Sequence, residues 1–216
     1  MLISPVWFSS IDPSFPPQLA QYLGDEAPSR ITFIGDPAIF NTKAVALICS
    51  VKCPGNIILQ TYDLAQRLRE AGVAVIGGFH SPMERECLRI LLRGSQPVIL
   101  CPPRGLQAMR IPSEHKAALE EGRLLYLSPF SDKLRRATVD TAQFRNRFVA
   151  AMAEHILAPY ASPQSKTFEL CRELKSWGKP LYMLSNDGNA ALIDLGAQLI
   201  DDRFILSRRG AEKGRF

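Results

Sequence analysis

Two arginines flank an asparagine in a segment whose apolar residues recur every four positions. The segment DTAQFRNRFVAAM, residues 140 to 152, predicts a helix with one buried stripe, for which Asp140 is the expected N-cap. Arg145, Asn146 and Arg147 fall on the flanks and the opposite side, within the first two turns. Cations near a helix N-terminus oppose the macrodipole, by roughly 0.3 to 1 kcal/mol each when exposed. The arginines therefore suggest that this helix start holds an anion; solvated arginines, or ion pairs within the chain, are the alternative.

A strand-to-helix junction at residues 76 to 88, IGGFHSPMERECL, has the composition of an anion site. Gly77 and Gly78 allow a tight turn, and Ser81 with Glu84 forms a capping box around a proline at the first helical position. We expect the free amides of this helix start to bind an anion such as a phosphate. A turn that only connects the strand to the helix is the alternative.

Two further junctions carry hydroxyl and amino groups. CSVKCPG, residues 49 to 55, closes an apolar strand, and its Ser50 and Lys52 are candidates to meet a phosphate; an exposed loop lysine without a ligand is the alternative. APYASPQSKTFEL, residues 158 to 170, ends a strand in small and polar residues before a helix start. Its polar groups converge on that helix N-terminus and indicate a phosphate site. The candidates there are Ser162, Ser165, Lys166 and Thr167.

The chain lacks the motifs of the common enzyme classes. It contains no GxSxG, HExxH, P-loop or GxGxxG sequence, and it has three histidines. The closest cysteines, Cys49 and Cys53, do not have the CxxC spacing of zinc or redox sites, so we expect the five cysteines to be reduced and mostly buried. The sequence therefore predicts no catalytic site, no cofactor and no metal site.

Short apolar runs alternate with amphipathic segments along the chain. Strands are predicted at residues 31–35, 44–50, 73–78, 97–101, 124–127, 155–159, 180–184 and 198–201. Helices are predicted between them, at about 56–71, 82–93, 113–121, 141–153, 165–177 and 189–196. Strands that are apolar throughout, each followed by a helix, indicate a parallel sheet covered on both faces. We therefore predict an α/β, Rossmann-like, doubly wound fold whose mostly parallel sheet has helices on both faces and binds ligands beyond the strands' carboxyl ends.

Length and composition fit one domain with two flanking segments. The 216 residues divide into a Pro-rich N-terminal extension packed on the domain (1–30), the Rossmann-like domain (31–206) and a basic tail expected to be disordered (207–216). No apolar run approaches the ~20 residues of a membrane span. A secretory signal requires a positively charged N-terminal region, and no Lys or Arg precedes Arg30. We expect a cytoplasmic protein that does not contact a membrane. The net charge of +5 and the pI near 9.1 favour a polyanionic partner.

Six segments occur in a characteristic order: FPPQL (15–19), GDPAIFN (35–41), AVALICSVK (44–52), AVIGGFHSP (74–82), FRNRFVAAM (144–152) and GNAALIDLGAQLI (188–200). This order resembles the DNA-processing protein A family, also called DprA or Smf. The Arg-Asn-Arg block and the last segment are the most specific parts of the resemblance. The family's glycine-serine-arginine loop is replaced here by CSVK, and we expect no counterpart of its N-terminal helical domain and C-terminal winged helix. We therefore expect a divergent, minimal member.

The resemblance implies a non-enzymatic protein that binds single-stranded DNA. In natural transformation such a protein protects incoming strands and loads a recombinase onto them. Arg145, Asn146 and Arg147 would then grip backbone phosphates, and Phe79 and Tyr160 are candidates for stacking on bases. A homodimer is also implied, and the apolar C-terminal segment LIDDRFIL agrees with it.

Two other functions stay open within the same Rossmann-like superfamily. The nucleoside-monophosphate phosphoribohydrolases called Lonely Guy proteins have a motif that SPQSKTFEL, residues 162 to 170, resembles loosely. Glu169 falls two residues after Thr167 instead of three, which turns it by about 100° around the helix. The second alternative is a nucleotide-binding sensor, because a phosphate site of this kind also suits a signalling nucleotide.

Overall fold

The structure, a computed structural model, describes residues 5–107 and 109–208, without the side chains of 206 and 208. One sheet of nine strands runs through this part of the chain. The strands are β1 Val6–Ser9, β2 Arg30–Ile34, β3 Val45–Leu47, β4 Val75–Gly77, β5 Val98–Leu100, β6 Leu124–Ser128, β7 His155–Leu157, β8 Leu181–Met183 and β9 Gln198–Leu199. Their order is β1-β2-β6-β5-β4-β3-β7-β8-β9. β2 is antiparallel to β1 and β6, and all other neighbours are parallel. The predicted mostly parallel sheet is therefore confirmed.

Helices cover both faces of the sheet, as the sequence predicted. They are α1 Gln18–Leu23, α2 Gly55–Glu70, α3 Pro82–Leu91, α4 Ser113–Glu120, α5 Val139–Met152, α6 Lys166–Ser176, α7 Ala190–Asp194 and α8 Asp202–Arg208. Short 3₁₀ turns lie at Gly24–Glu26, Pro37–Asn41 and Asp187–Asn189. On one face α1, α5 and α6 pack around the buried Phe148. On the other face α2, α3 and α4 bury residues such as Ile57, Leu91 and Leu119 against the sheet.

The sheet changes winding direction between β3 and β7. From β3 the chain proceeds outward through β4, β5 and β6, and α5 then returns it to β7, beside β3 on the other side. In a doubly wound sheet this switch point opens a crevice at the carboxyl ends of the two strands. We call the loops that follow β3, β4, β5 and β7 (48–54, 78–81, 101–112 and 158–165) the carboxyl edge.

Two helix starts show how the local sequence positions this edge. At α3 the predicted capping box is present, with Pro82 at the first helical position. At α5 the expected cap was wrong. Thr138 Oγ1 accepts from the amide of Thr141 at 3.2 Å, and Thr141 Oγ1 accepts from the amide of Thr138 at 2.9 Å. This box begins the helix at Val139, so Asp140 lies inside the first turn.

The N-terminal residues take part in the sheet and the core. β1 pairs with β2 along its whole length, and Leu19 and Leu23 of α1 are buried in the cluster around Phe148. The predicted tail, 207–216, lies outside the described residues from 209 onward, and residues 207 and 208 end α8. Among the helices that the structure describes, none is long and apolar enough to cross a membrane.

All five cysteines are free thiols. Cys53 is half-buried and the other four are buried, in agreement with the sequence expectation. Burial raises the pKa of Cys87, Cys101 and Cys171 to about 12, so these thiols stay protonated at neutral pH. The thiols of Cys49 and Cys53 lie 4.0 Å apart in the loop after β3.

Candidate nucleic-acid interface

Three serines join the loops of the switch point. Ser50 Oγ accepts a hydrogen bond from the amide of Ser162 at 3.1 Å and lies 3.0 Å from Ser165 Oγ. The amide of Ser50 donates to the carbonyl oxygen of Tyr160 at 3.0 Å, and Ser165 caps α6 by accepting from the amide of Phe168. The structure thus brings Ser50, in the loop after β3, into contact with Ser162 and Ser165 in the loop after β7, which lie 112 and 115 positions away in the sequence.

The predicted cations of the switch point are more dispersed. Lys52 is exposed in the loop after β3, on the carboxyl edge. Lys166 is exposed at the start of α6, where its ammonium group pairs with Glu169 at 2.9 Å. Thr167 is buried under the first turn of α6. Both lysines are exposed, but among the described residues only Lys166 has a carboxylate partner, so Lys52 is the better candidate to meet a phosphate near Ser50.

The start of α3 is occupied by a carboxylate of its own. Glu84 Oε2 accepts from the amides of His80 at 3.1 Å and Ser81 at 3.0 Å, and Oε1 accepts from the amide of Cys49 at 3.4 Å. Ser81 Oγ accepts in turn from the amide of Glu84 at 3.2 Å. The amides of His80, Ser81 and Glu84, which the sequence predicted to be free, are engaged within the chain, because the capping box folds the helix's third residue back onto its N-terminus. Glu84 instead ties the end of β3 to the end of β4.

Arg145 lies inside the protein rather than on a solvated helix flank, with an exposed fraction of 4%. Nη1 donates to the carbonyl oxygen of Cys101 at 2.8 Å, and Nε donates to Asn146 Oδ1 at 2.8 Å. The guanidinium group covers Gly78, which explains the glycine: a Cβ there would lie 1.8 Å from Nη1. Burial lowers the pKa of Arg145, and the nearby Glu84 opposes that shift. Arg145 therefore joins α5 to the ends of β4 and β5.

Asn146 and Arg147 lie in a different place. Arg147 pairs with Glu26 through Nη1 at 2.5 Å and with Glu173 on α6 through Nε at 2.8 Å. Together with Asn146 and Lys166 it lines a small groove of about 140 Å³ between α5 and α6. The Arg-Asn-Arg block is thus divided between the carboxyl edge and this groove, so its members do not form one phosphate grip.

A second cavity on the carboxyl edge was missed by the sequence reasoning. It has a volume of about 400 Å³ and lies between α3, α4 and the loops after β4 and β5. We call it the basic cleft, because four arginines line it: Arg85, Arg89, Arg104 and Arg135. One signal was present in the sequence, since residues 85 and 89 are four apart and share a helix face.

A buried histidine forms part of the cleft wall. His115 is 6% exposed, and its Nδ1 lies 2.5 Å from the hydroxyl of Tyr126 on β6. Burial lowers the pKa of His115, although Glu114 opposes that shift. The lowered pKa favours the neutral imidazole, in which one ring nitrogen is a donor and the other an acceptor. Among the described residues, no group of three His, Cys, Asp or Glu side chains is placed to hold a metal ion.

A family model identifies the relatives of this chain. The model for DNA recombination-mediator protein A matches residues 7–207. The chain belongs to this family. No curated protein sequence matches it. The resemblance inferred from the six sequence segments is therefore confirmed, and it extends nearer to the N-terminus than those segments did.

Solved structures of the family share the fold. DNA processing protein A from Streptococcus pneumoniae superposes with a TM-score of 0.77 at 19% identity, covering 94% of this chain and 73% of that one. DNA processing protein A from Helicobacter pylori gives 0.75 at 22% identity, covering 95% and 96%. The molybdenum cofactor binding protein of Rippkaea orientalis is more distant, with 0.52 at 10% identity, covering 76% and 93%. At these identities the likeness shows the fold of the DNA recombination-mediator protein A family and not its ligands.

Proposed function

We propose that this protein binds single-stranded DNA along the carboxyl edge of its sheet and acts in DNA processing without enzymatic activity. Family membership supports this proposal. The protein from Helicobacter pylori, which has a similar fold, binds single-stranded DNA. One observation assigns the proposal to particular residues: exposed cations gather on the carboxyl edge, where sheets of this kind bind ligands.

The cations of this edge come from several loops and helices. Lys52 lies near Ser50 in the loop after β3, and the arginines of the basic cleft follow beyond β4 and β5. Such a row suits a backbone of phosphates, because affinity for single strands depends on basic grooves that follow the backbone. Of the two aromatic candidates, Tyr160 is half-buried and available to a base, whereas Phe79 is buried.

Equilibrium binding to labelled oligonucleotides tests the proposal. We expect the single strand to bind more tightly than the duplex, with an affinity that falls steeply as the salt concentration rises. Lys52→Ala should weaken binding and reduce the salt slope by about 0.7, as expected for one lost phosphate contact to a single strand. Lys43→Ala is the matched control, because Lys43 is an exposed lysine at the opposite end of β3. A flat salt response, or preference for the duplex, would refute the proposal.

The absence of hydrolysis is part of the same proposal. Glu169, the residue that an N-glycosidase would need, pairs with Lys166 and lines the groove between α5 and α6. Glu84 is already engaged by three amides. Incubation with adenosine monophosphate should release no free base. Release that Glu169→Ala or Glu84→Ala abolishes would assign a phosphoribohydrolase instead.

Recombinase loading and pairing of two copies are further parts of the proposal, taken from the family resemblance. We expect the protein to accelerate recombinase assembly on strands that a single-strand-binding protein has covered. Lys52→Ala should reduce that acceleration in proportion to its loss of DNA affinity. An unchanged assembly rate would remove recombinase loading but leave DNA binding intact.

A further inference from the structure

The basic cleft has the size and shape of a small-ligand site. Its volume of about 400 Å³ falls within the roughly 300 to 1,000 Å³ of such sites. It opens between α3 and α4, away from the serines that join β3 and β7. A ligand in the cleft would therefore occupy a site separate from the switch point.

The charges of the cleft indicate an anion with more than one negative charge. Among the described residues, no carboxylate pairs with Arg85, Arg104 or Arg135, whereas Arg89 pairs with Glu86 at 3.1 Å. Glu114 is the carboxylate that lines the cleft. Three unpaired guanidinium groups beside one carboxylate leave a positive excess that a phosphomonoester, with a charge of about −1.5 to −2, would neutralise.

The floor of the cleft is apolar. It is formed by Leu88 on α3, Leu100 at the end of β5, and Pro102 and Pro103 in the loop after β5. His115 lines the same space: its Nδ1 lies 2.5 Å from the Tyr126 hydroxyl, and its Nε2 lies 3.8 Å from Glu114 Oε1. An apolar floor beside a few polar groups suits a nucleobase, whose ring needs burial and whose edge needs hydrogen bonds.

A strained residue lies in the wall of the cleft. Phe79 has φ of 45°, in the left-handed region that bulky residues rarely adopt. Its buried ring packs so close to Gly77 that a Cβ there would lie 3.1 Å from it. Such strain persists where the surrounding structure enforces it and gathers at ligand-binding sites. This observation is independent of the charges.

We propose that the basic cleft binds a nucleotide with a phosphomonoester group, its base on the apolar floor and its phosphate among Arg85, Arg104 and Arg135. Two sources share this chemistry: the phosphorylated end of a DNA strand and a free nucleoside monophosphate. The first source rests on the proposed function, because it requires strand binding. The second does not.

Oligonucleotides with different terminal groups, compared with free nucleotides, distinguish these two sources of the ligand. Affinities are measured for one oligonucleotide sequence with a 5′-phosphate, a 3′-phosphate or hydroxyls at both ends, and deoxynucleoside monophosphates are titrated calorimetrically. The cleft variants are Arg104→Ala and Ala137→Asp; Ala137 is an exposed residue of the lining, so the new carboxylate does not disturb the core. Arg93→Ala is the matched control, because Arg93 is exposed just beyond the far end of α3 and outside the cleft.

If a strand end is the ligand, the oligonucleotide with a phosphate at the recognised end, 5′ or 3′, should bind about tenfold more tightly than the oligonucleotide with hydroxyls at both ends. One charge-assisted contact is enough for such a difference. Both cleft variants should abolish this difference, while Arg93→Ala retains it. Calorimetric binding of the monophosphates without a strand-end effect supports the cleft with a free nucleotide as its ligand. Equal affinities for all ends, together with no heat from the monophosphates, overturn the proposal. Failure of strand binding alone overturns the proposed function and leaves the nucleotide titration as a valid test of the cleft.

Discussion

The guanidinium group of Arg145 occupies the space above Gly78 that a side chain would fill. Through the carbonyl oxygen of Cys101 it also fixes the end of β5. A buried cation with these contacts contributes to stability, because its removal leaves a cavity and a carbonyl group without its donor. The sequence pattern had placed Arg145 on the flank of its helix, beside an anion or solvent, and did not indicate this buried position.

At the residue scale we predict that Arg145→Ala lowers the free energy of unfolding by about 2 to 4 kcal/mol. Arg147→Ala should cost about 1 kcal/mol or less, because its ion pairs are partly exposed. Gly78→Ala should be destabilising in the wild-type protein and less so in the Arg145→Ala background, where the clash is gone. Denaturant unfolding of the wild type and these four variants measures the costs. If the costs of Gly78→Ala and Arg145→Ala are strictly additive in the double variant, residues 78 and 145 are not in contact.

The C-terminal end of α5 is closed by a lysine from outside the helix. Lys179 Nζ donates to the carbonyl oxygens of Ala150 at 2.7 Å, Ala151 at 2.8 Å and Ala153. It also lies 4.1 Å from the ring centre of Tyr22 on α1. A cation at this position satisfies terminal carbonyl groups and complements the helix dipole. α5 is thereby anchored at its C-terminal end, in addition to the contacts of Arg145 in the middle of the helix.

At the scale of this element, Lys179→Met should lower the free energy of unfolding by about 1 to 3 kcal/mol at pH 7, because the carbonyl groups lose their donor. Burial lowers the pKa of Lys179 from 10.5 to about 8, while Glu154 opposes that shift. Between these values the unfolded chain binds more protons, so the contribution of Lys179 to stability rises with pH. The difference between wild type and Lys179→Met should therefore increase from pH 8 to pH 10.5. Lys175→Met, at an exposed site on α6, is the control; an equal pH response in both variants would contradict the assignment.

At the scale of the whole molecule, both sheet edges present apolar side chains. Val6 and Trp7 of β1 are about half exposed, at 55% and 50%, and Leu199 of β9 is 54% exposed. The apolar C-terminal segment offers less surface than the sequence suggested, since Phe204 and Ile205 are buried in the chain's own core. Exposed strand edges are sites where a second copy can pair.

Self-association through β1 stays a prediction. Sedimentation at tens of micromolar should show a species larger than the 24.0 kDa chain. Val6→Lys should return it to the monomer, because a charge on an edge strand opposes pairing. Val139→Lys, at an exposed apolar residue on α5, should leave the assembly unchanged. A wild-type monomer at these concentrations would remove the prediction.

The elements of this fold were predictable because they depend on neighbouring residues. Each apolar run from residue 31 onward became a strand, and the capping box of Ser81 and Glu84 formed as its spacing indicated. β1 was missed, because its four residues gain their place by pairing with β2, more than twenty positions away. The cap of α5 was misplaced by two residues, since Thr138 and Asp140 are both acceptable caps and only the path of the preceding loop decides between them.

The sequence by itself determined the alternation of strands and helices, the family segments and the junctions where polar residues cluster. These follow from periodicity and turn chemistry, which operate over a few residues. Only the tertiary structure decided that Arg145 is buried, that Glu84 fills the start of α3, and that Arg85 and Arg135 face one cleft. Whether a helix flank meets solvent or a neighbouring strand depends on the packing of segments distant in the chain. The local pattern around residue 145 contains no information about that packing.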